Sequence, residues 1–147
     1  MSRNFRARRR QEFMIGDVYM MRFDGVGSEQ SGWRPGLVIQ NNVGNKFSPN
    51  LIALPLTTSL KKAEQPTHVV VNAEESGLLR DSMVLCENPE RMSKDRTGRY
   101  VASLPEYIMK DVAMGYMIAT SVISFLEEEE LLRLRQTALK LNEAGID

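Results

Sequence analysis

The chain has 147 residues, 42% hydrophobic and 26% charged, with a formal net charge of zero. That length suits one domain whose core needs no disulfide or metal staple, and the single cysteine, Cys86, excludes a disulfide framework and fits a reducing cytoplasm. No run approaches the roughly 18 apolar residues of a membrane helix, so no membrane span is expected.

The zero net charge hides an asymmetry. Arg3, Arg6, Arg8, Arg9 and Arg10 crowd residues 1–14, while Glu127 to Glu130 form an acidic block near the other end. Three readings fit the basic arm: a contact with a phosphate backbone, a solvated tail, or a contact with the acidic block. The arginine cluster has the look of a twin-arginine export signal, but charge soon interrupts the following "MIGDVYMMRFDG", so no export is expected.

From Gly16 the chain reads as strands. "DVYMMRF" alternates imperfectly, "PGLVIQ" and "NLIALPL" are short apolar runs, and "THVVVN" and "DSMVLCE" follow. Gly, Asn, Ser and Pro space these runs without any βαβ rhythm, which predicts a small closed or half-closed barrel. Ser103-Leu104-Pro105-Glu106 predicts a helix start, with Ser103 as N-cap and Glu106 completing a capping box. Ile108, Met109, Val112 and Tyr116 recur at helical spacing and give that helix a buried face.

Ser124 followed by Glu127 repeats the capping-box pattern and predicts a second helix, to about Glu143, ending near Gly145. Its early glutamates and later Arg133, Arg135 and Lys140 suit the helix dipole. Leu131, Leu134, Ala138 and Leu141 make a stripe that must pack on the barrel, a dimer mate or another partner. The predicted class is therefore mainly β with C-terminal helices, α+β overall.

Familiar catalytic devices are missing. One His and one Cys cannot form a Cys₂His₂ zinc site within the chain, and no Walker loop, GxGxxG or GxSxG occurs. His68, at the head of "HVVVN", reads as structural, and Cys86 in "MVLCE" as small core packing. What remains is a repertoire of Arg, Thr, Ser, Glu and amides. It suits a reaction whose nucleophile comes from the substrate, such as RNA cleavage by its own 2′-hydroxyl. An arginine can clamp phosphate oxygens with two hydrogen bonds, and a threonine hydroxyl can donate to the same developing charge.

"GDVYMMRFDGVGSEQSGWRPGLVIQNNVGNKFSP" resembles the start of MazF/PemK-type toxins of toxin–antitoxin modules. "NLIALPLTTS", "PTHVVV", "SGLLRDSMVL" and the helix from Pro105 to about Ile123 continue the match in order. The resemblance covers roughly residues 15–123, and several motifs in register make it specific. It implies an SH3-like small β-barrel with a C-terminal helix, a homodimer, and a metal-independent, cofactor-free endoribonuclease of the cytoplasm. Such an enzyme cuts single-stranded mRNA at short sequences, leaving 2′,3′-cyclic phosphate and 5′-hydroxyl ends, and a cognate antitoxin blocks its groove.

Carried over by position, the resemblance implies catalytic roles for Arg34 of the "RP" pair and Thr57 of "PLT". Ser28, Glu29 and Gln30 fall on its RNA-contacting loop, and Ser82 of "RDS" on its groove. Trp33 suits either base stacking or burial under the loop. In "ENPERMSKDR" the pattern departs from the family: Glu87 keeps a carboxylate, Asn88 replaces a longer Gln, and Glu90 stands where an arginine is expected. Glu87 and Asn88 are still expected at the RNA, with altered specificity. Residues 124–147 lie beyond the resemblance and form an additional amphipathic helix. Two other readings share the scaffold. A CcdB-like gyrase poison is disfavoured by Arg34, Thr57 and the ending "NEAGID", which lacks that group's terminal tryptophan motif. A catalytically tamed RNA-binding relative is kept open by "ENPER" and the added helix.

Overall fold

The computed structural model describes residues 12–24 and 31–146. Seven strands run through them: β1 (Asp17–Asp24), β2 (Ser31–Val38), β3 (Asn50–Thr57), β4 (His68–Val71), β5 (Ser82–Leu85), β6 (Glu90–Ser93) and β7 (Thr97–Ser103). Four α-helices join them: α1 (Asn42–Phe47), α2 (Ala73–Ser76), α3 (Glu106–Thr120) and α4 (Glu128–Ala144). The strands form one sheet in the order β4-β5-β3-β2-β1-β7, with β6 alongside β3, and every pairing is antiparallel. Among the described residues no ladder joins β4 to β7, so the sheet is not closed, which leaves the half-closed of the two expected forms of barrel.

The sheet is buried on both faces, and the strand register shows how. Val18, Leu37 and Leu54 lie in one cross-strand row and share a core cluster with Leu56, Val84, Ile108 and Val112. One residue along, Val38 and Ala53 pair and belong to a second cluster with Tyr19, Met21, Phe23, Leu51 and Met92. Successive strand residues point to opposite faces, so the first cluster is the face covered by α3. Gly36 lets the second face close: a Cβ there would lie 2.4 Å from the Met21 sulfur and 3.0 Å from the Phe23 ring.

Both helix starts differ from their sequence reading. Ser103 ends β7 and its hydroxyl donates to the buried Asp17 carboxylate at 2.7 Å, so α3 begins at Glu106 with Pro105 as N-cap. Ser124 sits in a short helical turn, Val122–Phe125, where its hydroxyl donates to the Ser121 carbonyl. Glu127 caps α4 instead, in a reciprocal capping box with Glu130. Between the helices Ser121 takes a left-handed φ of 54°, which ends α3 and prevents one continuous rod.

Helix α4 has no buried residue, yet its C-terminal end is anchored. Asn42, at the start of α1, donates its backbone N–H to Asn142 Oδ1 and its side-chain amide to the Asn142 carbonyl, both at 3.1 Å. The same Asn42 accepts from the Ile15 N–H at 2.8 Å, tying the entry to β1 into the joint. Gly145 presses on the Asn42 backbone so closely that a Cβ would lie 2.1 Å from its carbonyl carbon. Along the leucine stripe, Leu131 near the start of α4 and Leu141 near its end are half-buried, while Leu134 and Ala138 between them are exposed.

Candidate active site

Arg34 lies in β2 opposite Met21 of β1 and is half-buried. Strand β2 pairs with β3 from Val38–Ala53 to Gly36–Pro55, and there the ladder ends. Pro35 and Pro55 each lack an N–H, which removes donors where pairing would continue. The same register carried two residues further sets Arg34 level with Thr57, on the same face of the sheet. Thr57 closes β3 and is half-buried. Its hydroxyl oxygen accepts from the Ser59 N–H at 3.1 Å, a local turn bond that leaves the hydroxyl hydrogen able to donate elsewhere.

The other expected residues are placed differently. Ser28, Glu29 and Gln30 lie outside the described residues, as does most of the basic arm. Asp24, the last residue of β1, pairs its carboxylate with Arg96 at 2.6 Å. Ser82 is buried, with its hydroxyl donating to the Arg80 carbonyl at 2.9 Å. It shares the face of Val84 and Val71, so the sheet separates it from Arg34 and Thr57. There it lines a cleft of about 200 Å³ with Met20, Pro35, Thr58 and the exposed Arg80 and Arg99. Trp33, on this face too, is 55% exposed and lies over Gly98; the loop that would cover it is outside the described residues.

Glu87 and Asn88 form the turn after β5. Since β5 runs antiparallel to β3, with Met83 opposite Thr57, the turn lies towards the middle of β3. Glu87 is exposed, and its Oε2 lies 2.8 Å from His68 Nε2; Asn88 is half-buried and donates its N–H to the Leu85 carbonyl. His68 Nδ1 is 2.8 Å from the Lys62 carbonyl. A purely structural reading of His68 misses this link. Its signal is the pairing of "HVVV" with "SMVL", which sets His68 opposite Leu85, two residues before Glu87.

Cys86 is fully buried with its Sγ 3.8 Å from the Val112 carbonyl, and burial, helped by the neighbouring Glu87 carboxylate, pushes its thiol up to about 12. It is core packing, as the sequence indicates, and no nucleophile at neutral pH. Among the described residues no three His, Cys, Asp or Glu side chains cluster as metal ligands would. No described helix is long and apolar enough to cross a membrane.

Known proteins resemble this arrangement. The model of the PemK-like, MazF-like toxins of type II toxin–antitoxin systems matches residues 15–119. The chain is 40% identical over 111 residues to endoribonuclease EndoA of Bacillus subtilis, spanning 75% of this chain and 96% of that protein. It is also 40% identical over 98 residues to endoribonuclease MazF of Staphylococcus saprophyticus, spanning 66% and 82% respectively. Among solved structures, MazF from Deinococcus radiodurans superposes with a TM-score of 0.64 at 22% identity, covering 74% of this chain and 96% of that one. With the fold, the match through β1 to α3 and two such relatives in agreement, the chain belongs to the PemK-like, MazF-like toxin family of type II toxin–antitoxin systems.

Proposed function

We propose that this chain is a sequence-specific endoribonuclease toxin that cleaves single-stranded mRNA without a metal ion, with Arg34 and Thr57 as its catalytic pair. The observation that supports the assignment is the β2–β3 register of this family member: extended two residues past the prolines that end the ladder, it brings Arg34 level with Thr57. The Bacillus and Staphylococcus relatives are both named endoribonucleases, which supports the reaction class.

The chemistry follows from these two side chains. The RNA 2′-oxygen attacks the adjacent phosphorus, the bond from phosphorus to the 5′-oxygen breaks, and a 2′,3′-cyclic phosphate forms. The 2′-oxygen loses a proton and the departing 5′-oxygen gains one, leaving a 5′-hydroxyl. Arg34 donates to the non-bridging phosphate oxygens, where negative charge builds in the transition state. Thr57 donates its hydroxyl hydrogen to the same centre. Ser28, Glu29, Gln30, Glu87 and Asn88 are the proposed RNA-contacting residues, and Ser82 takes part in RNA binding only indirectly, through the backbone it braces at Arg80. The protein works in the cytoplasm as a homodimer and is silenced by a cognate antitoxin; a mycobacterial relative of the same fold is described in complex with its own.

The test is cleavage of a long single-stranded RNA by purified protein in EDTA. Fragments with cyclic-phosphate ends are expected from wild type, and Arg34→Ala should slow their formation by about 10²–10⁴-fold, the scale of a positioned catalytic group. Intact RNA with wild type, together with inhibited DNA supercoiling, would mean a gyrase poison instead.

A further inference from the structure

We infer that His68 is a positioning residue for RNA recognition, holding the Glu87 carboxylate in its reading position and fastening the chain segment after Thr57 to the turn after β5. This rests on the endoribonuclease reading above and names a residue that reading does not use. Two contacts define the role. His68 Nε2 meets Glu87 Oε2 at 2.8 Å, and His68 Nδ1 meets the Lys62 carbonyl at 2.8 Å. Lys62 lies in the turn between Thr57 and β4, at a left-handed φ of 59°, and its carbonyl also accepts from the Gln65 N–H at 3.1 Å. One imidazole therefore joins the segment following one proposed catalytic residue to the carboxylate proposed to read a base.

The burial of the two partners fits this division of labour. The His68 side chain is 8% exposed, whereas that of Glu87 is 36% exposed. The imidazole is a fixed internal prop and the carboxylate presents its free edge outward. With Oε2 occupied by His68, Glu87 Oε1 is the oxygen left to accept from a base. A carboxylate accepts but does not donate, so it selects a base edge that offers an amino or imino hydrogen.

The experiment uses the full-length protein and the site mapped from its own cleavage of a long RNA. Short oligonucleotides carrying that site, and single-base variants of it, are cut by wild type, His68→Ala, His68→Gln, Glu87→Gln and the His68→Ala/Glu87→Gln pair. His68→Ala should raise KM for the mapped site about tenfold and erode discrimination against one base position. Its kcat should stay within about threefold of wild type, since the hydrogen bond it removes holds a charged group outside the reacting atoms. His68→Gln, which keeps a donor towards Glu87, should recover part of the discrimination. The double variant should discriminate no worse than Glu87→Gln alone, because both act through one carboxylate. Melting curves identify any variant that fails to fold, and the ring nitrogen shifts of His68, compared between wild type and Glu87→Gln, report the contact without RNA. Wild-type discrimination in a folded His68→Ala, additive effects in the pair, or ring shifts indifferent to Glu87→Gln would overturn the inference alone. Absence of cleavage by wild type would overturn the endoribonuclease reading, and this inference with it.

Discussion

At the scale of single residues, the candidate site depends on what each side chain has left to offer. Thr57 uses an oxygen lone pair on Ser59 and keeps its hydrogen, so it can act as a donor. Ser82 spends its hydrogen on the Arg80 carbonyl from a buried position, which suits a brace and not a direct contact. Cys86 is held neutral by burial, and two outcomes follow. Folded protein should resist thiol alkylation at pH 8, reacting at least about tenfold more slowly than protein unfolded in guanidinium. The sign for stability follows from the raised value: above the ordinary 9.0 an unfolded chain ionises its thiol first, so stability should fall as pH rises from about 9 towards about 12. Cys86→Ala should flatten that part of a pH-stability curve measured by denaturant titration. An unchanged slope would assign the loss of stability to other groups.

At the scale of elements, the sequence is most legible where apolar runs are buried on both faces. β3 and β5 are nearly continuous hydrophobic runs and can be read directly. β6 and β7 escape such a reading because "ERMS" and "TGRYVAS" bury little more than Met92 and Ala102, so their apolar signal is one residue deep. The capping boxes are real chemistry set on the wrong residues. Ser103 yields its cap role to a buried carboxylate 86 positions away in sequence, and Ser124 yields its own to the overlapping Glu127–Glu130 frame. No local pattern encodes either competition. The joint between α1 and α4 is equally hidden, since it depends on Asn42 and Asn142 meeting across the molecule. Gly145→Ala should force a side chain into the Asn42 backbone, cost about 1–3 kcal/mol in thermal or denaturant unfolding, and speed amide exchange in residues 128–144. Wild-type exchange there would show that α4 is anchored elsewhere. Removing everything after Ser124 should alter dimerisation, antitoxin binding or RNA cleavage, because it uncovers Asn42 and takes away an amphipathic helix; no change in all three would make α4 dispensable.

At the scale of the whole molecule, family membership covers residues 15–119 and stops short of α4. Extended past its last pair, the β2–β3 register brings Arg34 level with Thr57, the two residues that motif order also singles out. What the motifs do not convey is the division of the sheet: Ser82 and the Arg80–Arg99 cleft lie on one face, Arg34 and Thr57 on the other. Only register resolves faces, since a shift of one residue would exchange them. The central claim is that this protein cuts RNA through Arg34 and Thr57. It is tested most directly by mapping 5′-hydroxyl ends on a long single-stranded RNA treated in EDTA with wild type, Arg34→Ala and Thr57→Ala. Wild type should give a short recurrent sequence at its cut sites, and each variant should give the same sites at least about a hundredfold more slowly. Uncut RNA with wild type, or undiminished cleavage with both variants folded, would contradict it.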